Sequence, residues 1–256
     1  MIHSLFMDAL DRLAGLVMRA RYTVVLTGAG VSTASGIPDF RSPETGVWSR
    51  VDPSTVATIA AFRSDPTLFW SFYSARFAGL TQAEPNPAHF ALARLESLGY
   101  LRGLVTQNID RLHAKAGSVN VAEVHGSVAQ ARCLGCGAVY PGSRVLAALE
   151  CDPDTIPACD CGQPLKPDVV LFGEDLPEAE MDRALEWARR ADLMIVVGTS
   201  LQVWPVGGLP EVTLAAGGSV AILNASPTAL DEQAAVVDRA PVEQSLPALV
   251  DLLEGR

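Results

Sequence analysis

Residues 23–32 read Thr-Val-Val-Leu-Thr-Gly-Ala-Gly-Val-Ser, an apolar, β-branched run that leads directly into small residues. Such a run is typical of a buried parallel strand, and glycines at its carboxyl end let backbone N–H groups approach an anion closely. Gly28 and Gly30 supply the first two glycines of a dinucleotide-binding fingerprint, while Thr33 stands where the third would be. The stretch therefore predicts a strand, a phosphate-binding loop and the N-terminus of a following helix.

Composition limits the class of protein. The chain has 256 residues, of which 49% are hydrophobic, enough for a sizeable core. Its formal net charge of −10 argues against a nucleic-acid-binding surface, which would need a basic patch. Residues 1–20 predict an amphipathic helix and no targeting segment, because Asp8, Asp11 and Arg12 interrupt the apolar residues. The apolar run 193–197 is too short to span a membrane. We expect a cytoplasmic protein.

Strands and helices alternate along most of the chain. Short apolar runs predict strands at 101–106, 121–124, 168–172, 193–197 and 220–223. Longer periodic segments predict helices at 56–80, with a break at Asp65-Pro66, and at 89–98, 177–190 and 246–253, with a further helix within 208–217. This alternation predicts an α/β fold with a doubly wound, Rossmann-like parallel sheet.

Small or polar residues follow four of the predicted strands. They are Gly28-Ala29-Gly30, Gln107-Asn108-Ile109-Asp110, Gly198-Thr199-Ser200 and Asn224. In a doubly wound sheet these strand ends line one crevice, where ligands bind. A dehydrogenase would place an acidic residue roughly 20 residues beyond its glycine loop, at a second strand. That distance falls here in a loop, which disfavours hydride transfer.

All five cysteines lie between Cys133 and Cys161. Cys133 and Cys136 have the spacing of a zinc knuckle, and Cys159 with Cys161 supplies a second arm, although Cys151 could replace Cys159 as the third ligand. Four thiolates would hold a structural Zn²⁺ and leave no open position for catalysis. Free thiols or a disulfide are the alternatives.

We expect a single domain across residues 1–256, with two insertions in the Rossmann-like sheet. The Rossmann-like part is predicted at 1–41, 100–125 and 168–256. The smaller part is predicted at 42–99, which is helical, and at 126–167, a zinc-binding module without a long periodic element.

His125 is the histidine most suited to chemistry. It follows a short predicted strand and precedes the cysteine module, and its near-neutral pKa suits a general base. His3, His89 and His113 are interpreted as structural residues.

The ordered motifs of this chain resemble those of the sirtuins, the NAD-dependent protein-lysine deacylases. The resemblance covers nearly the whole chain and is carried by residues 28–32, 36–41, 106–113, 125–126, the cysteine pairs, 170–174, 198–203 and 223–224. No single motif is specific, but their shared order is.

The resemblance implies how the reaction proceeds. The acyl-lysine carbonyl oxygen attacks the ribose carbon of NAD as nicotinamide leaves, and His125 then acts as the general base on a ribose hydroxyl. The loop 28–32 and Ser200 lie near the phosphates, Asn108 and Asp110 near the nicotinamide, and Arg41 in a mobile loop. The cofactor-binding residues that it implies are Gly28, Ala29, Gly30, Ser32, Thr33, Asp39, Phe40, Arg41, Gln107, Asn108, Asp110, Gly198, Thr199, Ser200, Asn224, Ala225 and Val242.

The resemblance also implies the partner, an acylated-lysine protein or peptide bound by a monomeric enzyme. Val169, Phe172, Gly173 and Glu174 belong to the edge that would pair with an extended substrate peptide. Tyr73 and Arg76, three residues apart on a predicted helix, resemble the Tyr-x-x-Arg of desuccinylating members and could bind an acidic acyl group. A protein ADP-ribosyltransferase and a non-catalytic NAD-binding module remain alternatives.

Overall fold

The computed structural model describes residues 2–40, 46–49 and 51–255. The strands of this described part are Thr23–Thr27 (β1), Leu101–Thr106 (β2), Val121–Glu123 (β3), Gly126–Cys133 (β4), Val139–Pro141 (β5), Leu165–Val169 (β6), Leu193–Val197 (β7), Ser219–Leu223 (β8) and Val236–Asp238 (β9). Its α-helices are Ile2–Arg19 (α1), Pro53–Val56 (α2), Ile59–Ser64 (α3), Pro66–Gln82 (α4), Pro87–Ser97 (α5), Leu112–Lys115 (α6), Gly142–Cys151 (α7), Glu178–Arg190 (α8), Leu209–Ala215 (α9) and Val242–Glu254 (α10). None of these helices has the length and apolar composition that a membrane crossing requires.

Six strands form a parallel sheet in the order β3-β2-β1-β7-β8-β9. The chain runs outward from β1 to β3 on one side and returns to β7 on the other side of β1. The strand order therefore reverses between β1 and β7, and this switch point is where an open α/β sheet forms its ligand crevice. The predicted doubly wound sheet is confirmed.

Helices cover both faces of this sheet because the side chains of a strand alternate between the faces. Val25 of β1 packs in a cluster with residues of α1, α5 and α10. Its neighbours Val24 and Leu26 pack in the other cluster, with residues of α8 and α9. All five residues of β1 and of β7 are buried, as expected for central strands covered on both sides.

A second, antiparallel sheet has the strand order β5-β4-β6. Its core includes Phe69, Trp70 and Phe77 of α4 together with Val145 and Leu149 of α7. The Trp70 indole N–H donates to Leu165 O over 3.0 Å, which ties α4 to β6. Residues from both predicted insertions therefore pack into one core.

The structure differs from the sequence prediction in several elements. The module 126–167 was expected to lack a long periodic element, but it contains α7, whose Val145 and Leu149 are four residues apart and buried. Strand β9 was not predicted, and α10 begins at Val242, earlier than the predicted 246. These segments are short or interrupted by proline, so their periodicity is weak.

Packing also bears on the predicted division of the chain. Helix α5 packs against α10 and contributes to the core of the parallel sheet. Strand β6, which ends at Val169, belongs to the antiparallel sheet. We therefore propose that residues 87–99 belong to the Rossmann-like part, outside the helical insertion predicted at 42–99. The other boundaries stay predictions.

Candidate active site

The loops after β1 and β7 meet at the switch point with an approach that only glycine permits. A Cβ on Gly28 would lie 2.6 Å from the Thr199 Cβ, and one on Gly30 would lie 2.8 Å from Gly198 Cα. Gly198 itself has a φ of +60°, and a Cβ there would lie 2.5 Å from the Val31 nitrogen. The three glycines therefore bring the two loops into backbone contact.

The hydrogen-bond partners of the amides in this loop differ from the anion that the sequence predicts. The Gly28 N–H donates to Val197 O over 3.1 Å, and the Gly30 N–H donates to Gly198 O over 2.8 Å. These two donors are already paired within the protein, so they do not face a phosphate. The expected helix after the loop is a 3₁₀ helix of seven residues, Ala29–Ser35. Its shortness also weakens the expected dipole contribution.

Three predicted residues from two strand ends form one buried cluster. The Ser32 hydroxyl donates to Asp110 Oδ2 over 2.7 Å, and Asn108 Nδ2 donates to Ser32 Oγ over 3.0 Å. The Leu112 N–H donates to the other Asp110 oxygen over 2.9 Å. Burial raises the pKa of Asp110 above its ordinary value, against the effect of these hydrogen bonds. Thr33, by contrast, is exposed and donates to Gly30 O.

Sequence analysis missed a layer of histidines beneath this cluster. His89 Nδ1 accepts the Asn86 N–H over 3.2 Å, so its proton is on Nε2, which lies 3.4 Å from Ser32 Oγ. His113 Nε2 lies 3.0 Å from Thr27 Oγ1. Burial lowers the pKa of His89 to about 4 and that of His113 well below 6.5, so both are neutral. Both histidines were interpreted as structural, and only the Asn86-x-x-His89 spacing of a capping box could have signalled this placement.

Gln107 links the ends of β1, β2 and β7. Its backbone N–H donates to Thr27 O over 3.0 Å, and its side-chain Nε2 donates to Thr199 Oγ1 over 2.9 Å. Ser200, the residue after Thr199, is half-buried. The structure thus brings these predicted strand-end residues together.

Three further cofactor-binding candidates follow strands β8 and β9 in the chain. Asn224 follows β8, and its side chain donates to Ser226 O over 2.7 Å. Ala225 beside it is exposed, whereas Val242 is buried at the start of α10. Asn224 and Val242 thus have local structural roles, in the turn after β8 and in the core under α10.

Two candidates precede the gap in the described chain. Asp39 is half-buried, and its carbonyl accepts the Val47 N–H over 2.9 Å. The Phe40 ring stacks on Trp48 with 5.3 Å between the centroids. Arg41 lies outside the described residues.

His125 is the second residue after β3 and lies next to the end of β2. Its Nδ1 is 3.0 Å from Gln107 O, and because a carbonyl only accepts, Nδ1 carries the proton. Nε2 therefore has the free lone pair of the ring. Burial lowers the pKa of His125 below 6.5, and the hydrogen bond to Gln107 only partly opposes this. The geometry gives a neutral imidazole with Nε2 as a proton acceptor.

The predicted substrate edge continues β6 beside His125. The Val170 N–H donates to His125 O over 2.9 Å. The Phe172 N–H donates to Ala57 O over 2.9 Å, and Phe172 O accepts the Ile59 N–H over 3.1 Å. The Phe172 side chain is 49% exposed, and Gly173 turns the chain with a φ of +88°.

Tyr73 and Arg76 occupy one turn of α4. The Tyr73 ring stacks on Phe69 with 4.4 Å between centroids, and burial raises its pKa to about 12. The Arg76 guanidinium lies 3.7 Å above the Phe72 ring, and Nη1 donates to Phe72 O over 2.6 Å. Arg76 is exposed, so its remaining N–H groups can meet a ligand.

Four cysteines converge at the tip of the antiparallel sheet. The Sγ atoms of Cys133, Cys136, Cys159 and Cys161 all lie within 4.8 Å of one another. The pairs Cys133–Cys161 and Cys136–Cys159 have S···S distances of 3.6 and 3.5 Å. Tetrahedral Zn–S bonds of about 2.3 Å would set this distance at about 3.8 Å, so the cluster fits a structural zinc. Cys151 is exposed at the end of α7 and is not a member of the group.

The strand order, the switch-point crevice and the glycine loop define the Rossmann class of nucleotide-binding folds. Comparison with known proteins then identifies the family. The Sir2 family model matches residues 28–205, so the chain belongs to the Sir2 family. This confirms the resemblance to the sirtuins.

Similar proteins cover nearly the full chain. An "NAD-dependent protein deacetylase" of Sulfurisphaera tokodaii is 45% identical over 246 residues, which are 96% of each chain. An "NAD-dependent protein deacylase 2" of Archaeoglobus fulgidus is 43% identical over 226 residues, 88% of each chain. A solved Sir2 structure with deacetylated p53 peptide and 3'-O-acetyl ADP ribose is 38% identical, with a TM-score of 0.90 over 95% of this chain and 98% of that chain.

Proposed function

We propose that this protein removes acyl groups from protein lysines in an NAD-dependent reaction that yields nicotinamide and O-acyl-ADP-ribose. The observation that carries the proposal is the hydrogen bond from His125 Nδ1 to Gln107 O, because it leaves a neutral Nε2 beside the crevice. The names of the similar proteins from Sulfurisphaera tokodaii and Archaeoglobus fulgidus agree with this activity.

The switch-point crevice fits NAD. The glycine contacts bring the β1 and β7 loops together at the switch point, and a buried polar cluster lies beside them. We assign the loop 28–32, through groups other than the paired Gly28 and Gly30 amides, and Ser200 to the phosphates, and Asn108 and Asp110 to the nicotinamide end. When bound, NAD supplies a ribose carbon that accepts the acyl oxygen as nicotinamide departs.

His125 moves the proton in this reaction. A ribose hydroxyl donates its proton to the neutral Nε2, while the Gln107 carbonyl keeps the ring in the correct tautomer and orientation. The lowered pKa keeps the acceptor unprotonated near pH 7.

The substrate peptide pairs with the chain beside His125. The N–H groups of Val170, Phe172 and Glu174 are bound to His125, Ala57 and Leu171, so we place the pairing groups at the Gly173 N–H and at the carbonyls of Gly173 and Glu174. Backbone pairing recognises many sequences, which suits an enzyme of broad peptide preference. The exposed Phe172 ring supplies an apolar contact for the lysine chain.

Product analysis tests the proposed activity against its alternatives. The protein is incubated with NAD and an acetyl-lysine peptide, and the products are identified and quantified by mass spectrometry. We expect O-acetyl-ADP-ribose and the deacetylated peptide in equal amounts. A peptide that gains ADP-ribose would indicate a protein ADP-ribosyltransferase, and absence of turnover would indicate a binding module; either result contradicts the proposal.

We propose that the acyl pocket also accepts acidic acyl groups, such as succinyl and malonyl, through Tyr73 and Arg76. Arg76→Met should reduce succinyl-lysine turnover by roughly 10- to 100-fold, equivalent to about 1.5–3 kcal/mol for a lost charge-assisted hydrogen bond. Acetyl-lysine turnover should change little. The matched control is Arg63→Met, which removes an exposed arginine of α3. Equal losses on both peptides would assign Arg76 to the fold, and a wild type inactive on succinyl-lysine would refute acidic-acyl activity.

The remaining proposals concern the state of the protein in the cell. We propose a monomeric enzyme that acts in the cytoplasm and binds neither membranes nor nucleic acids. The net charge of −10 supports the last point, because it repels the phosphate backbone.

A further inference from the structure

A buried ammonium lies under the proposed substrate turn. Lys166 on β6 has a side chain only 6% exposed. Its Nζ donates to Pro167 O over 3.1 Å and to Val169 O over 2.7 Å, and it lies 2.9 Å from Glu174 Oε2. An ammonium has three protons, so these three acceptors satisfy it fully.

Glu174 continues this network at the other end of the turn. The same Oε2 accepts the Leu171 N–H over 2.9 Å, and the Glu174 N–H donates to Leu171 O over 3.0 Å. Gly173 lies between them in the left-handed region, with a φ of +88°. The Glu174 carboxylate thus faces into the protein, and its role at the site is to hold the turn.

The Lys166–Glu174 pair lies under the turn that we propose pairs with the substrate peptide. The turn contacts His125 through the Val170 N–H and contacts residues 57–59 through Phe172. The NAD crevice, by contrast, is formed by the loops of β1 and β7 in the other sheet. A change in the turn therefore acts first on the peptide and on the His125 backbone, and not on NAD.

Stability alone does not account for this pair, in which the Lys166 side chain is buried and the Glu174 side chain is 23% exposed. Desolvation of an ammonium and a carboxylate consumes most of their attraction, and apolar residues of similar size stabilise a core equally well. What the pair adds is directional bonding to specific backbone groups.

We propose that Lys166 and Glu174 are positioning residues that set the 169–174 turn for pairing with the substrate peptide. This inference rests on the proposed deacylase function. Without the ammonium, the Val169 carbonyl loses the Lys166 donor and the Glu174 carboxylate retains the Leu171 N–H alone, so the turn leaves the geometry that pairs with a peptide.

The test compares Lys166→Met, Glu174→Gln and Lys166→Arg with wild type. Binding of an acetyl-lysine peptide is measured by fluorescence anisotropy, NAD binding by calorimetry, and turnover by product analysis. We expect Lys166→Met and Glu174→Gln to weaken peptide binding by about 10- to 100-fold, as a small misplacement of the partner strand would. The NAD Kd should stay within about twofold, and Lys166→Arg should restore part of the peptide affinity.

Arg132→Met is the matched control. It removes a cation from the neighbouring strand β4, where Arg132 makes an exposed ion pair with Asp168 at 3.3 Å. We expect wild-type peptide binding, because an exposed pair contributes little. Thermal unfolding of each variant checks its fold, and Glu174→Gln decides the matter if Lys166→Met does not fold.

Two results would overturn the proposal: unchanged peptide affinity in the folded variants, or equal losses of peptide and NAD affinity, which would indicate general destabilisation. Failure of the proposed function is distinguishable, because it appears in wild type as absence of O-acetyl-ADP-ribose. Peptide binding does not require turnover and reports on the pair separately.

Discussion

Replacing His125 by alanine should lower NAD-dependent deacylation by about 10²–10⁴-fold, the range lost with a positioned general base. The expected cause is specific, since the Gln107 carbonyl leaves His125 Nε2 as the only ring atom able to accept a proton. NAD affinity should be nearly unchanged, because the crevice between the β1 and β7 loops is held by contacts that do not include His125. Turnover and NAD binding are measured on the same preparation.

The matched control is Gln130→Ala, which changes a residue of β4 five positions after His125. Gln130 is exposed and lies outside the proposed site, so its variant should keep the wild-type rate. Turnover near wild type in His125→Ala would refute the assignment of the base.

The pH profile gives a second measurement of the same residue. Burial depresses the pKa of His125 below 6.5, and a general base works in its neutral form. Activity should therefore be full at pH 7 and fall only as the pH drops through the depressed pKa, below 6.5. An acid limb of kcat/KM centred above pH 7 would contradict this assignment, since kcat/KM reports the free enzyme.

Removing the Cys159 thiolate from the cysteine cluster is the second change for which we expect a large effect. Wild type should carry one zinc, and Cys159→Ser should lose it and unfold the module. The cluster draws together the end of β4 and the turn at 159–163, and binding of structural zinc is worth roughly 10–16 kcal/mol in small zinc domains. Zinc content by mass spectrometry and protease cleavage within 126–167 measure the two effects.

Cys151→Ser is the matched control, because Cys151 is an exposed thiol of the same module outside the cluster. It should retain its zinc and its protease resistance. Zinc loss in Cys151→Ser with retention in Cys159→Ser would reverse the choice of ligand.

Much of the central sheet could be predicted from sequence. The patterns predict β2 and β7 with the bounds that the structure has, and the fully buried β7 is a continuous apolar run. The cluster of Ser32, Asn108 and Asp110 follows from the rule that strand ends meet at one edge of the sheet.

The rest depends on contacts between distant parts of the chain. The amides of Gly28 and Gly30 were expected to face an anion, but they donate to the β7 loop, a pairing that no local pattern encodes. His89 reaches Ser32 from a helix more than fifty positions along the chain, and Glu174 turns its carboxylate inward to Lys166. Contacts of this kind depend on how the two sheets and the helices around them pack in three dimensions, which the local sequence does not specify.

The path of the chain into and out of the zinc module has a consequence for protein engineering. Gly126 at the start of β4 pairs with Val169 at the end of β6, and a Cβ on Gly126 would lie 2.1 Å from Asp168 O. The module therefore leaves and rejoins the Rossmann-like part at a single closed neck. Beyond that neck the cysteine-bearing lobe shares its core with α4, so a chimaera that keeps His125, Gly126 and 165–174 should exchange the lobe together with the α4 residues that pack on it, and the parallel strands need not shift.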